Sequence, residues 1–112
     1  MLDYGLCENT VTVYRMENDQ LQRLVVQNCH YRWEDVLVTD GLGQRMERKF
    51  LLIVPAGEQQ VFPGDRIYDG IGPEEVDWDR FIPVNVPGLS VAEYVRVCRW
   101  EGQICHTEAG RK

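Results

Sequence analysis

Apolar and polar residues alternate along much of this chain, and that period of two predicts strands rather than helices. Residues 10–14, Thr-Val-Thr-Val-Tyr, are β-branched and aromatic, which suits a pleated surface, and they read as a first strand. Glu17-Asn18-Asp19-Gln20 is a turn signal. Residues 24–33 predict a second strand with Val25, Cys29, Tyr31 and Trp33 on one face, continued or restarted by Val36-Leu37-Val38. Asp40-Gly41-Leu42-Gly43 predicts a hairpin turn, because Asp-Gly and the later Gly take positive φ cheaply. The next strand runs over residues 46–55, with Met46, Phe50, Leu52 and Val54 on one face and Arg48 interrupting them.

Phe62-Pro63-Gly64-Asp65 predicts a turn leading into a short strand, Arg66-Ile67-Tyr68, that Asp69-Gly70 ends. Residues 71–88 hold three prolines and four acids, which predicts an extended, solvated excursion that Trp78, Phe81 and Ile82 pin to the body. Residues 90–100 carry two competing signals. Ser90-Val91-Ala92-Glu93 fits a helix capping box, whereas residues 94–100 alternate and are rich in β-formers. The strand reading is favoured, with Glu101-Gly102 turning the chain into a terminal hairpin. The sum is a mainly β chain, a small barrel or sandwich of about five to seven antiparallel strands, as one domain over residues 1–112.

Charge narrows the partners. The 112 residues carry a formal net charge of −6, and between Glu58 and Asp79 the acids Asp65, Asp69, Glu74, Glu75 and Asp77 have only Arg66 among them. Affinity for nucleic acid comes chiefly from neutralising phosphates, so tight DNA or RNA binding is not expected. The longest apolar run, residues 50–54, is far short of a membrane span, and Asp3 and Glu8 do not fit a secretion signal. The expected compartment is a cytosol, so Cys7, Cys29, Cys98 and Cys105 are read as reduced thiols.

Candidate chemistry is sparse. Zinc takes about four converging Cys and His ligands. Cys29-His30 and Cys105-His106 are adjacent pairs, and neighbours on a strand point to opposite faces. Cys29, Cys98, Cys105 and His106 are thus candidate ligands for a small intracellular metal-binding or regulatory module, with buried thiols and ordinary histidines as the simpler reading. Ser90, the chain's single serine, sits in a loose echo of a nucleophile elbow, but that elbow belongs to a large α/β sheet. Gly41-Leu42-Gly43 and Gly70-Ile71-Gly72 lack the third glycine or the lysine of a phosphate loop. The acids of residues 74–79 lack calcium-loop spacing. No catalytic residue, cofactor or metal is assigned. Trp, Tyr and Arg are enriched at binding hot spots, which makes Tyr31, Trp33, Trp78 and Phe81 the candidate interface residues.

The order of these elements resembles a family. The strand at residues 10–14, the long hairpin over 24–55, the Pro63-Gly64-Asp65 turn leading a strand into Gly70, and a last hairpin with Gly102 and His106 are similar to small prophage proteins of Gram-positive hosts. Those are minor capsid or head–tail joining proteins of tailed phages. The chain departs from that layout in its acidic excursion, residues 74–87, and in its cysteine count. The resemblance implies a non-enzymatic structural protein, made in the host cytoplasm and carried in the virion. Its partners would be portal, capsid or tail proteins and further copies of itself in a ring, held by many small contacts.

Overall fold

The structure, a computed structural model, describes residues 8–55, 57 and 59–111. Asp3, Cys7 and Glu58, named above, lie outside the described residues. The described chain is all β. Its strands are β1 (Asn9–Glu17), β2 (Gln20–Asp40), β3 (Gly43–Pro55), β4 (Arg66–Asp69), β5 (Leu89–Val91), β6 (Tyr94–Trp100) and β7 (Gln103–Gly110). They form one antiparallel sheet in the order β5-β4-β1-β2-β3-β7-β6. Within residues 90–100 the chain is strand on both sides of a bend at Ala92–Glu93, and no helix forms. No helix among the described residues is long and apolar enough to cross a membrane.

β2 organises the sheet. Up to Cys29 it pairs with β1, and from His30 onward it pairs with β3. The change of partner coincides with a bulge: Asn9 pairs Cys29 but Val11 pairs Val26, so β2 carries one extra residue. Asn28 absorbs it at φ 56°, in the left-handed region that Asn tolerates better than most residues. The bulge also corrects the predicted face. Val26, not Val25, is buried in line with Cys29 and Tyr31, because the extra residue resets the alternation.

The bend folds the two half-sheets over one core. Val11, Val13 and Ile67 from one half meet Phe50, Leu52, Val54 and Ala109 from the other. The sheet stays open, but its edge strands β5 and β6 are consecutive in the chain, so the fold curls like a barrel. The crossing at Ala92–Glu93 is tied down: Gly64 N–H donates to the Ala92 carbonyl (2.7 Å), Ala92 N–H to Asp65 (2.9 Å) and Glu93 N–H to Gly110 (2.9 Å).

β1 is buried on both faces. Thr12 and Tyr14, which point away from the main core, are covered by residues 70–88. The segment caps β1, with Phe81 buried and Trp78 and Ile82 half-buried against the body, while most of its other residues face solvent. Tyr14, Phe81 and Leu89 form a second core, with Tyr68, Val76, Trp78 and Val86 against it. Polar groups fix its start. Thr12 Oγ1 donates to the Gly70 carbonyl (2.8 Å) and accepts from Gly72 N–H (2.9 Å). The Tyr14 hydroxyl donates to the Pro73 carbonyl (2.6 Å). Gly72 passes so close that a Cβ there would collide with the Tyr14 hydroxyl. The acids Glu74, Glu75, Asp77 and Asp79 remain exposed on the cap's outer side.

Truncating Phe81 opens this second core. Phe81→Ala is expected to lower the unfolding free energy by about 3–5 kcal/mol. It should also make residues 70–88 the first site of limited proteolysis, which denaturant titration and peptide mapping will check.

Candidate functional site

Beyond the body, β2 and β3 continue with no third strand. β1 leaves β2 at Cys29, and β7 joins β3 only from Leu51 to Pro55. Residues 34–40 therefore pair only with residues 43–49, in unbroken register from Glu34↔Lys49 to Asp40↔Gly43. Seven pairs at ~3.4 Å rise make a two-stranded arm roughly 24 Å long. Its tip is set by local chemistry. Asp40 Oδ1 accepts from Leu42 N–H (2.8 Å), and Gly43 takes φ 112°. Arg45 bridges Asp40 and Glu47, and its hydrogen bond holds the Glu47 carboxyl below its usual range. Opposite charges face each other at Glu34↔Lys49 and Asp35↔Arg48.

An aromatic cluster anchors the arm's base. Trp33 and Phe50 rings lie 5.5 Å apart, Tyr31 is 5.9 Å from Phe50, and the Arg48 guanidinium sits 5.3 Å over Trp33. Past that base the core-facing stripe continues into solvent. Leu37 and Met46 are directly paired across the arm, yet 57% and 61% exposed, and Leu42 at the tip is 97% exposed. A two-stranded ribbon is marginal in water without a covered face.

The candidate interface residues separate into two kinds. Tyr31 and Phe81 are buried, and each spends its ring on a core. Burial raises the Tyr31 phenol's pKa, and that hydroxyl shares a 3.1 Å hydrogen bond with Ser90. Trp33 and Trp78 are half-buried. Trp33 lines a 230 Å³ slot with Phe50, Pro83, Leu89 and Arg111, while Trp78 lies under the Arg66 guanidinium at 3.7 Å. Sequence reasoning missed Leu37, Leu42, Met46 and the 71%-exposed Trp100. The available signal was length: the run from β2 into β3 is far longer than β1 can pair.

The metal candidates do not converge. Cys29 is in the main core, its thiol donating to the Asn9 carbonyl (3.3 Å). Cys98 pairs with His106 in the last hairpin, and Cys105 sits at the register shift beside them. Among the described residues, no three His, Cys, Asp or Glu side chains stand together as a metal site. Ser90 is a buried strand residue within 3.4 Å of the Ile67 carbonyl.

Burial raises the pKa of the Asp65 carboxyl. It closes the Pro63-Gly64 turn, because Oδ2 accepts from Phe62 N–H (2.8 Å) and from Arg15 (2.8 Å). Those bonds make it a turn lock beside a surface hollow of about 400 Å³ that Phe62 and Trp78 also line. Comparison with protein-family models, with curated proteins and with solved structures finds no match to this chain.

Folded Asp65 keeps its proton to higher pH than it does in the unfolded chain. Its contribution is therefore fullest below its ordinary value of 3.8 and is lost as pH rises through the raised value. Denaturant titrations across that window should show wild type losing stability relative to Asp65→Asn as pH rises. A relative gain would mean that Arg15 outweighs burial.

Proposed function

We propose that this protein is a non-enzymatic assembly part of a tailed-phage particle, a minor capsid or head–tail joining component encoded in a prophage. The observation that supports this best is the arm. It is a rigidly registered ribbon that leaves an apolar cross-strand pair, Leu37 and Met46, and a tip leucine uncovered. An enzyme concentrates its polar groups in a cleft. Here three of the large exposed apolar side chains, Leu37, Leu42 and Met46, lie instead on a projection, where a neighbouring protein can cover them. The order of elements described above, which resembles such joining proteins, supports the same reading. On it, the protein is made in the host cytoplasm, joins portal, capsid or tail proteins, and ends in the virion. The acidic balance of the chain suits a part that DNA passes without binding.

The genes beside this reading frame give a first test: a portal and a major capsid protein are expected there. The direct test is to co-express the chain with those neighbours and purify particles. Leu37→Lys with Met46→Glu, which keeps an oppositely charged pair across the arm, should leave the melting temperature of the free protein within a few degrees, because both side chains are exposed. The same pair should abolish incorporation into particles. Normal incorporation of the double variant would contradict the proposal.

A further inference from the structure

β5 leaves backbone groups open where it borders a slot. It stands at the end of the sheet, so only β4 pairs with it. Asp69 N–H donates to the Gly88 carbonyl (3.1 Å), and Ala92 N–H donates to the Asp65 carbonyl (2.9 Å). Bonded and non-bonded pairs alternate along an antiparallel ladder. Ile67↔Ser90, midway between those two pairs, is therefore bonded, while Leu89 and Val91 turn their N–H and C=O groups away from β4. The Leu89 N–H reaches the Val86 carbonyl (3.3 Å). The Leu89 carbonyl and both backbone groups of Val91 are left without a partner among the described residues.

The 230 Å³ slot beside Trp33 lies along this edge. Leu89, Ser90 and Val91 all line it. Side chains alternate between the faces of a strand, so three consecutive residues share one wall only along the strand's edge. Trp33, Phe50 and Pro83 make much of the remaining lining apolar. The two charged residues of the slot, Glu93 and Arg111, lie 3.4 Å apart and neutralise each other, and Arg111 also donates to the Arg48 carbonyl (3.1 Å). Such a rim favours an uncharged occupant. The slot is smaller than the ~300 Å³ at which pockets begin to hold drug-sized ligands. Other open edges are guarded by charge: Arg96 and Arg99 on β6, and Glu34, Glu47 and Lys49 on the arm. Leu89-Ser90-Val91 carries none.

We infer that the β5 edge takes an uncharged, extended segment of another protein as an added antiparallel strand. One residue of that segment exchanges both backbone hydrogen bonds with Val91, and the residue two positions on donates to the Leu89 carbonyl. The residue between them lies opposite Ser90. Ser90 faces the main core, where its hydroxyl meets that of Tyr31 at 3.1 Å. The middle side chain points the same way, is apolar, and fills the slot against Trp33 and Phe50. The open backbone groups identify the class of occupant, because an extended peptide repeats donors and acceptors at strand spacing and an apolar small molecule does not. The inference goes beyond the assembly reading and does not need it.

NMR titration of the isotope-labelled chain with the acetylated peptide amide Ser-Thr-Leu-Thr-Ser tests this. Its threonines oppose Val91 and Leu89, and its leucine opposes Ser90. Saturable binding with Kd below about 1 mM is expected, and the Val91 amide should exchange with solvent more slowly in the complex. N-methylating both threonines removes two donors and keeps every side chain, so affinity should fall about tenfold or more. Aspartate in place of the leucine should abolish binding. Val91→Pro removes only the outward donor, and an edge strand tolerates proline where its N–H faces solvent. Its melting temperature should hold within a few degrees while affinity falls about three- to tenfold. The site is overturned if the parent peptide does not bind at about 1 mM. It is equally overturned if the N-methylated or aspartate peptide binds as the parent does, or if folded Val91→Pro binds as wild type does. Both peptide comparisons use the unaltered chain, so they decide the matter however the variant folds. No arm residue is changed, and incorporation of arm variants reports on the assembly reading separately.

Discussion

The whole structure depends on one strand being too long for its neighbours. β2 spans Gln20–Asp40, while β1 pairs with it only as far as Cys29 and β7 reaches β3 only from Leu51. A flat sheet could not bury both ends of such a strand. The bulge at Asn28 bends it, and the bend puts Val26, Cys29 and Tyr31 in phase over one core shared by both half-sheets. What remains beyond Trp33 has no third strand to lie against and becomes the arm. Core and projection are thus consequences of the same length mismatch.

The two faces of β1 show how so small a chain gains a second packed layer. Main-core residues Val11 and Val13 alternate with Thr12 and Tyr14, which turn to the cap. The cap has no regular hydrogen-bond ladder, so its order comes from single contacts. Thr12 holds Gly70 and Gly72, Tyr14 and Arg23 hold Pro73, and Arg66 holds the carbonyl of Phe81. This arrangement keeps Phe81 inside while its acidic neighbours face water.

The strands and tight turns were legible because both follow from local rules. Asn18-Asp19 and Glu101-Gly102 adopt positive φ in the turns that join β1 to β2 and β6 to β7. The strand over 94–100 was legible once its alternation was weighed against the capping box. The bulge was not, since a single Asn within an apolar-polar run signals nothing, and so Val25 was expected where Val26 packs. The cap's anchors, Trp78, Phe81 and Ile82, were legible, but the surface they pack on was hidden. Prolines and acids at 71–88 erase any period, and only the contact of Phe81 with Tyr14, ring centroids 4.7 Å apart, reveals the order. Aromatic type alone pointed to Tyr31 and Phe81 as interface residues, but burial consumes both. The exposed apolar side chains include Leu37, Leu42, Met46, Val84 and Trp100, and of these Leu37 and Met46 look like core positions in sequence.

If the arm is held by its own ladder and finishes its packing on a partner, its backbone must open more easily than the body's. Amide hydrogen exchange, read residue by residue in the free chain and again in assembled particles, measures this directly. Amides of residues 34–40 and 43–49 are predicted to exchange by local opening in the free chain, well ahead of Phe50, Leu52 and Val54, and to slow on assembly. Arm amides as slow as those of the core in the free chain, or equally fast in both states, would contradict the account.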